Sequence, residues 1–157
     1  MTSPPPSWGY GDFETGQVFT TQRRTITEAD LVMFAGWSWD TNPVHTDSVG
    51  QADSRFGQRI AHGALGLAVA LGLVSNLGVF EDCAVALLGI DGWRFQSPIL
   101  VGDTVHAEVH IVGKRITSSG DTGVLQREFR VLNQSGATVQ EGRLDLLIRA
   151  NQASGSR

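Results

Sequence analysis

Residues 64–77 read ALGLAVALGLVSNL, an apolar segment without a single charged residue. A surface helix shows one apolar stripe and one polar face. A helix that is apolar nearly all round must instead be buried on most sides. Extended to Phe80, the run is still shorter than the ~18 residues a membrane span needs. It is interrupted by Gly72, Ser75, Asn76 and Gly78, and no Lys or Arg cluster flanks it. A buried central helix is therefore expected, and the rest of the chain must supply its cover.

That cover is readable downstream. Residues 85–95 form one strand-like run. Residues 104–115 alternate, with Val105, Ala107, Val109 and Ile111 on one face. Residues 124–133 and 137–149 follow turn clusters of Gly, Asp and Ser, which is hairpin chemistry. Upstream, residues 17–26 read as a strand and Thr27 opens a helix, with Asp30 where a capping box places its acidic partner. Residues 37–47 read as a loop, and residues 48–56 as a short helix. Strands that follow a helix without alternating with it predict an α+β fold with an antiparallel sheet. The apolar surface left over predicts sheets joined edge to edge in a homodimer.

The chain has 157 residues and a net charge of −4, with no long basic run. One domain is expected, over residues 13–150, with flexible segments at 1–12 and 151–157. Nucleic acid is not an expected partner, and neither is a membrane. The single cysteine, Cys83, cannot close an internal disulfide and fits a reducing cytoplasm. No signal peptide is visible.

Two short segments carry candidate chemistry. In Trp39-Asp40-Thr41-Asn42-Pro43-Val44-His45, a carboxylate and an imidazole lie five residues apart on a turn stiffened by proline. Such a pair can act on one water as general base and acid. Asn42 can bond the loop backbone. Read from spacing alone, the same residues are equally a plain turn with a polar histidine. The second segment, Ile60-Ala61-His62-Gly63, opens the apolar helix. Glycine at a helix N-terminus lets a ligand approach unpaired N–H groups. A thioester carbonyl bonded to the Gly63 N–H would have its enolate stabilised. On an alternative reading Gly63 only permits tight packing, and His62 caps the helix or pairs locally. No metal centre is expected. His106 and His110 are i, i+4 on a strand, about 13 Å apart, and no cysteine–histidine cluster has zinc spacing. Arg94, Lys114 and Arg115 read as solvated surface charge.

The run FAGWSWDTNPVHTD followed by IAHGAL resembles the hydratase motif of the MaoC-like dehydratases, which include the (R)-specific enoyl-CoA hydratases. The resemblance implies a hot-dog fold, a long central helix wrapped by a curved antiparallel sheet, and a homodimer. It implies that Asp40 and His45 position and activate water, that Asn42 supports the loop, and that the Gly63 N–H holds the thioester carbonyl. The implied substrate is a trans-2-enoyl thioester of coenzyme A or an acyl carrier protein. The implied product is the (R)-3-hydroxyacyl thioester, formed reversibly, without metal or redox cofactor. Two neighbouring functions remain open: a hot-dog thioesterase and a non-catalytic acyl-thioester binding subunit. The chain departs from the family in having Trp39 where glycine is common, and no hydroxyl in residues 67–73. Trp39 is therefore expected to narrow the acyl pocket, favouring a short, branched or unusual acyl group.

Overall fold

A computed structural model describes residues 8–150. The elements run β1 (Val18–Thr20), β2 (Arg24–Thr25), α1 (Glu28–Ser38), α2 (Pro43–Thr46), α3 (Gly63–Ser75), β3 (Ala84–Leu87), β4 (Asp91–Phe95), β5 (Thr104–Ile116), β6 (Thr122–Leu132), β7 (Thr138–Arg143) and β8 (Leu146–Arg149). All strand pairs are antiparallel. The sheet order is β1-β5-β6-β7-β4, with β2 on β5 and β8 between β6 and β3. The α+β expectation holds: one long apolar helix lies against one antiparallel sheet.

The alternation read in β5 is what seats the helix. Val105, Ala107, Val109 and Ile111 are buried and share a core with Leu65, Val69 and Leu73 of α3. Each of the Val, Ile and Leu side chains among them contributes roughly 1.5–3 kcal/mol on burial. The helix is buried on only one side, however. Ala64, Ala68 and Gly72 recur every four residues on a face that is open in the single chain.

Several strand boundaries differ from expectation, each for a local reason. The strand expected over 17–26 is two short strands. Between them Thr21 takes the Ala107 N–H on its hydroxyl (2.9 Å) and donates its own N–H to the Ala107 carbonyl (2.9 Å). Three residues thus bulge opposite two. The run 137–149 kinks at Leu144. The Leu144 carbonyl accepts the Arg127 Nε–H (3.0 Å), and Arg143 grips Asp145 through two bonds of 2.8 Å. Arg127 is buried, stacked on Phe80 and Phe129, and loss of hydration pulls its guanidinium down to about 10. The run 85–95 breaks into β3 and β4 where the Leu88 N–H turns to the Asp145 carbonyl.

Residues 48–56 form turns rather than a helix, because the Asp47 carboxylate accepts the Val49 and Gly50 N–H groups (3.1 and 2.9 Å). Part of the segment expected to be flexible at the N-terminus is packed. Residues Tyr10–Asp12 form a 3-10 turn, Trp8 lies 5.3 Å from Phe13 ring to ring, and Lys114 sits over the Tyr10 ring. The remaining end segments, 1–7 and 151–157, lie outside the described residues. Among the described residues, no helix is long and apolar enough to cross a membrane.

Candidate active site

The segment between α1 and α3 folds back on itself. Helix α1 starts as read: the Asp30 carboxylate accepts both the N–H and the hydroxyl of Thr27 (2.7 and 2.9 Å). It ends at Trp39, whose φ of 62° is left-handed and whose N–H closes on the Ala35 carbonyl (3.0 Å). This reverses the chain into Asp40. Asn42 then caps α2, its Oδ1 accepting the Val44 N–H (3.1 Å), while Pro43 fills the first helical position. Residues 37–47, expected to be loop throughout, thus hold the end of α1 and one helical turn.

Ile60 and Ala61 anchor the other side. The Ile60 N–H reaches the Val44 carbonyl (3.1 Å), and the Ala61 N–H reaches the Ile99 carbonyl (2.8 Å). This brings the two sequence segments into one site. His45 Nδ1 lies 2.8 Å from the Ile60 carbonyl. A carbonyl only accepts, so Nδ1 carries the proton and Nε2 presents a lone pair in the neutral ring. That Nε2 is 3.9 Å from Asp40 Oδ2, too far for a direct hydrogen bond. One water at about 2.8 Å from both atoms fits across that separation.

His62 is 2% exposed and sits beneath the pair. Its Nε2 donates to the Asp40 backbone carbonyl (2.9 Å), and its ring stacks on His45 with centroids 3.8 Å apart. The Nδ1 of His62 is buried and unpartnered. Asp40, His45 and His62 offer ligand atoms within 4.8 Å of one another. Each could give one ligand atom to a metal ion, Asp40 a carboxylate oxygen and each histidine a ring nitrogen.

Gly63 opens α3 beside a cavity of about 460 Å³ that His45, Phe56, Gly63, Phe95 and Gln140 help to line. Neither the Gly63 nor the Ala64 N–H has a partner among the described residues. A Cβ on Gly63 would stand 2.7 Å from the Phe95 ring, so only glycine brings this backbone to the cavity wall. Asp40, Asn42, His45, His62 and Gly63 therefore converge as a group. Trp39 does not join them at the cavity. Its left-handed backbone turns the indole outward, and it is 88% exposed in the single chain. The expectation that it narrows the acyl pocket finds no support in the lining of this cavity in the single chain. Trp37 is likewise exposed.

Sequence reading missed Phe95 and Gln140. Gln140 is buried on β7 and hydrogen-bonds both Trp93 Nε1 (3.2 Å) and the Gly63 carbonyl (3.1 Å). A polar residue beside Val139 in a core strand was the available signal.

Comparison with known proteins places the sequence and the fold in a family. The sequence model of the MaoC like domain matches residues 12–129. Over 108 residues the chain is 37% identical to Protein MaoC of Klebsiella aerogenes, covering 69% of this chain and 31% of that protein. It is 35% identical over 105 residues to an (R)-specific enoyl-CoA hydratase of Rhodospirillum rubrum, covering 66% of this chain and 69% of that enzyme. The crystal structure of a monoamine oxidase regulatory protein from Archaeoglobus fulgius superposes with a TM-score of 0.86 at 31% identity, covering 93% of this chain and 97% of that one. The fold is the hot-dog fold. By its matched sequence and its fold, the chain belongs to the MaoC-like domain family.

Proposed function

We propose that the protein is a hydro-lyase that adds water reversibly to a trans-2-enoyl thioester of coenzyme A or a carrier protein, giving the (R)-3-hydroxyacyl thioester. The observation that carries this reading is the separation between His45 Nε2 and Asp40 Oδ2, 3.9 Å at the edge of a cavity that also meets Gly63. One water bridging the pair loses a proton to it while its oxygen bonds C3 of the substrate. The C2–C3 electron pair moves into the thioester as an enolate, which the Gly63 N–H holds. C2 then takes a proton from the same acid/base pair, so the elements of one water are added overall. Holding both groups on a pinned turn removes orientational freedom from the step. Removing an oxyanion donor costs on the order of 3 kcal/mol in known enzymes.

A homodimer fits the same reading. The β3–β4 edge exposes Val85, Leu87, Leu88, Ile90 and Phe95 in the single chain, an unprotected apolar edge of the kind that pairs with a second sheet. The test is to mix the purified protein with crotonyl-CoA and follow the enoyl-thioester absorbance, with a thiol reagent in a parallel sample. Loss of absorbance without thiol release is expected. Thiol release would make the protein a thioesterase. Binding of acyl-CoA with neither signal would make it a non-catalytic subunit.

A further inference from the structure

Gln140 occupies an unusual place for a polar side chain. It lies on β7, in register with Phe95 of β4 and Val131 of β6, and is 2% exposed. Its amide reaches across to the first turn of α3. Nε2 donates to the Gly63 carbonyl at 3.1 Å, and Oε1 accepts the Trp93 indole N–H at 3.2 Å. The indole nitrogen can only donate, so it fixes which end of the amide faces the helix. The fold makes room for this contact with two glycines. A Cβ on Gly66 would stand 2.2 Å from Gln140 Nε2, and a Cβ on Gly142 would stand 2.6 Å from the Trp93 ring.

A helix start held only by its own backbone bonds frays and tilts. Here the Gly63 peptide is held from outside the helix, by a side chain on a core strand. The bond goes to the carbonyl, so the N–H groups of Gly63 and Ala64 stay available. The polarisation this bond produces falls on the Ala64 N–H of the same peptide unit, whereas the Gly63 N–H, on the preceding peptide, is fixed in direction because the Gly63 backbone is held. Gln140 belongs to the wall of the same cavity.

We infer that Gln140 is a positioning residue that aims the Gly63 N–H at the substrate's developing oxyanion, with Trp93 locking the orientation of its amide. The inference rests on the hydratase reading above and deepens it. A residue that acts only as the enolate forms affects kcat and leaves ground-state binding alone.

Turnover of crotonyl-CoA is the test, with parent, Gln140→Leu, Gln140→Glu and Trp93→Phe compared as folded proteins by circular dichroism. Gln140→Leu, which removes both bonds, is expected to lower kcat on the order of tenfold to a hundredfold with KM nearly unchanged. Gln140→Glu keeps an acceptor for Trp93 but offers Gly63 no donor while ionised. Its kcat should recover as pH is lowered and its protonated carboxyl regains an O–H for the Gly63 carbonyl, beyond any change in the parent. Trp93→Phe should show a smaller loss of kcat. Should Gln140→Leu misfold, the acid recovery of Gln140→Glu decides the matter alone. A parent that turns over substrate beside a folded Gln140→Leu of equal kcat overturns the inference and leaves the hydratase reading intact. So does a Gln140→Glu pH profile parallel to the parent's. A parent without turnover removes the reading itself, and the inference with it.

Discussion

The imidazole of His45 stacks on the imidazole of His62, with ring centroids 3.8 Å apart and planes 25° from parallel. His62 has no opening to the cavity and spends its Nε2 proton on the Asp40 carbonyl. It therefore holds both members of the pair, His45 through its face and Asp40 through its backbone. His62→Phe keeps the stacking surface and loses the bond to Asp40, while His62→Ala loses both. We expect the turnover order parent, then His62→Phe, then His62→Ala, with losses of about 10-fold and 100-fold. Equal rates for the two variants in steady-state assays would show that stacking contributes nothing.

Asp40→Asn and His45→Gln act on the proton path itself. Neither can accept a proton from water as the native group does, so each should lower kcat by about 10²–10⁴-fold. The fold should persist, since Asp40 is half exposed and its Oδ1 makes only the 3.3 Å bond to the Asn42 N–H. Near-parental rates for both variants, with unchanged circular dichroism, would refute the assigned roles.

Trp39 is the one non-glycine residue with positive φ among the described residues. A left-handed conformation costs an L-residue roughly 1–2 kcal/mol, and glycine escapes this at an entropic cost of roughly 0.5–1 kcal/mol. The exposed indole offers little packing to offset the strain. Trp39→Gly should therefore stabilise the protein by somewhat under ~1 kcal/mol, or about 2 °C in Tm. Its acyl chain-length profile should match the parent's, because the side chain is absent from the cavity wall. A profile shifted towards longer chains in coupled assays would return Trp39 to the pocket.

The parts legible in the sequence were those with a local physical cause. The period-two pattern of Val105 to Ile111 marked the core face of β5, and the apolar run without a charged residue marked α3. Thr27 and Asp30 marked a helix start that the structure retains. The parts not legible depend on contacts distant in sequence. Thr21 breaks its strand because of Ala107, and the kink at Leu144 depends on Arg127. Gln140 reads as an ordinary strand residue until Gly63, 77 positions away, is brought beside it. Trp39 adjoins Asp40 in sequence, yet it is absent from the lining of the cavity that His45 and Gly63 share in the single chain.

The Arg143–Asp145 pair makes stability depend on acid. Two bonds of 2.8 Å from the guanidinium hold the Asp145 carboxyl below its ordinary value of 3.8. A carboxylate lowered in the folded state binds protons less readily there than in the unfolded chain. Its contribution is therefore complete above the unfolded value and is lost as pH falls through the folded one. The pair also brackets Leu144, where β7 turns into β8, and the Asp145 carbonyl holds the Leu88 N–H at the break between β3 and β4. Protonation thus loosens the point at which both outer strands bend. Urea unfolding at a series of pH values from about 5 down to about 2 should show a falling midpoint in the parent. Asp145→Asn should start from a lower midpoint at neutral pH and fall less steeply below 3.8. Parallel acid limbs for the two proteins would show that Asp145 is not among the carboxylates that set the acid sensitivity.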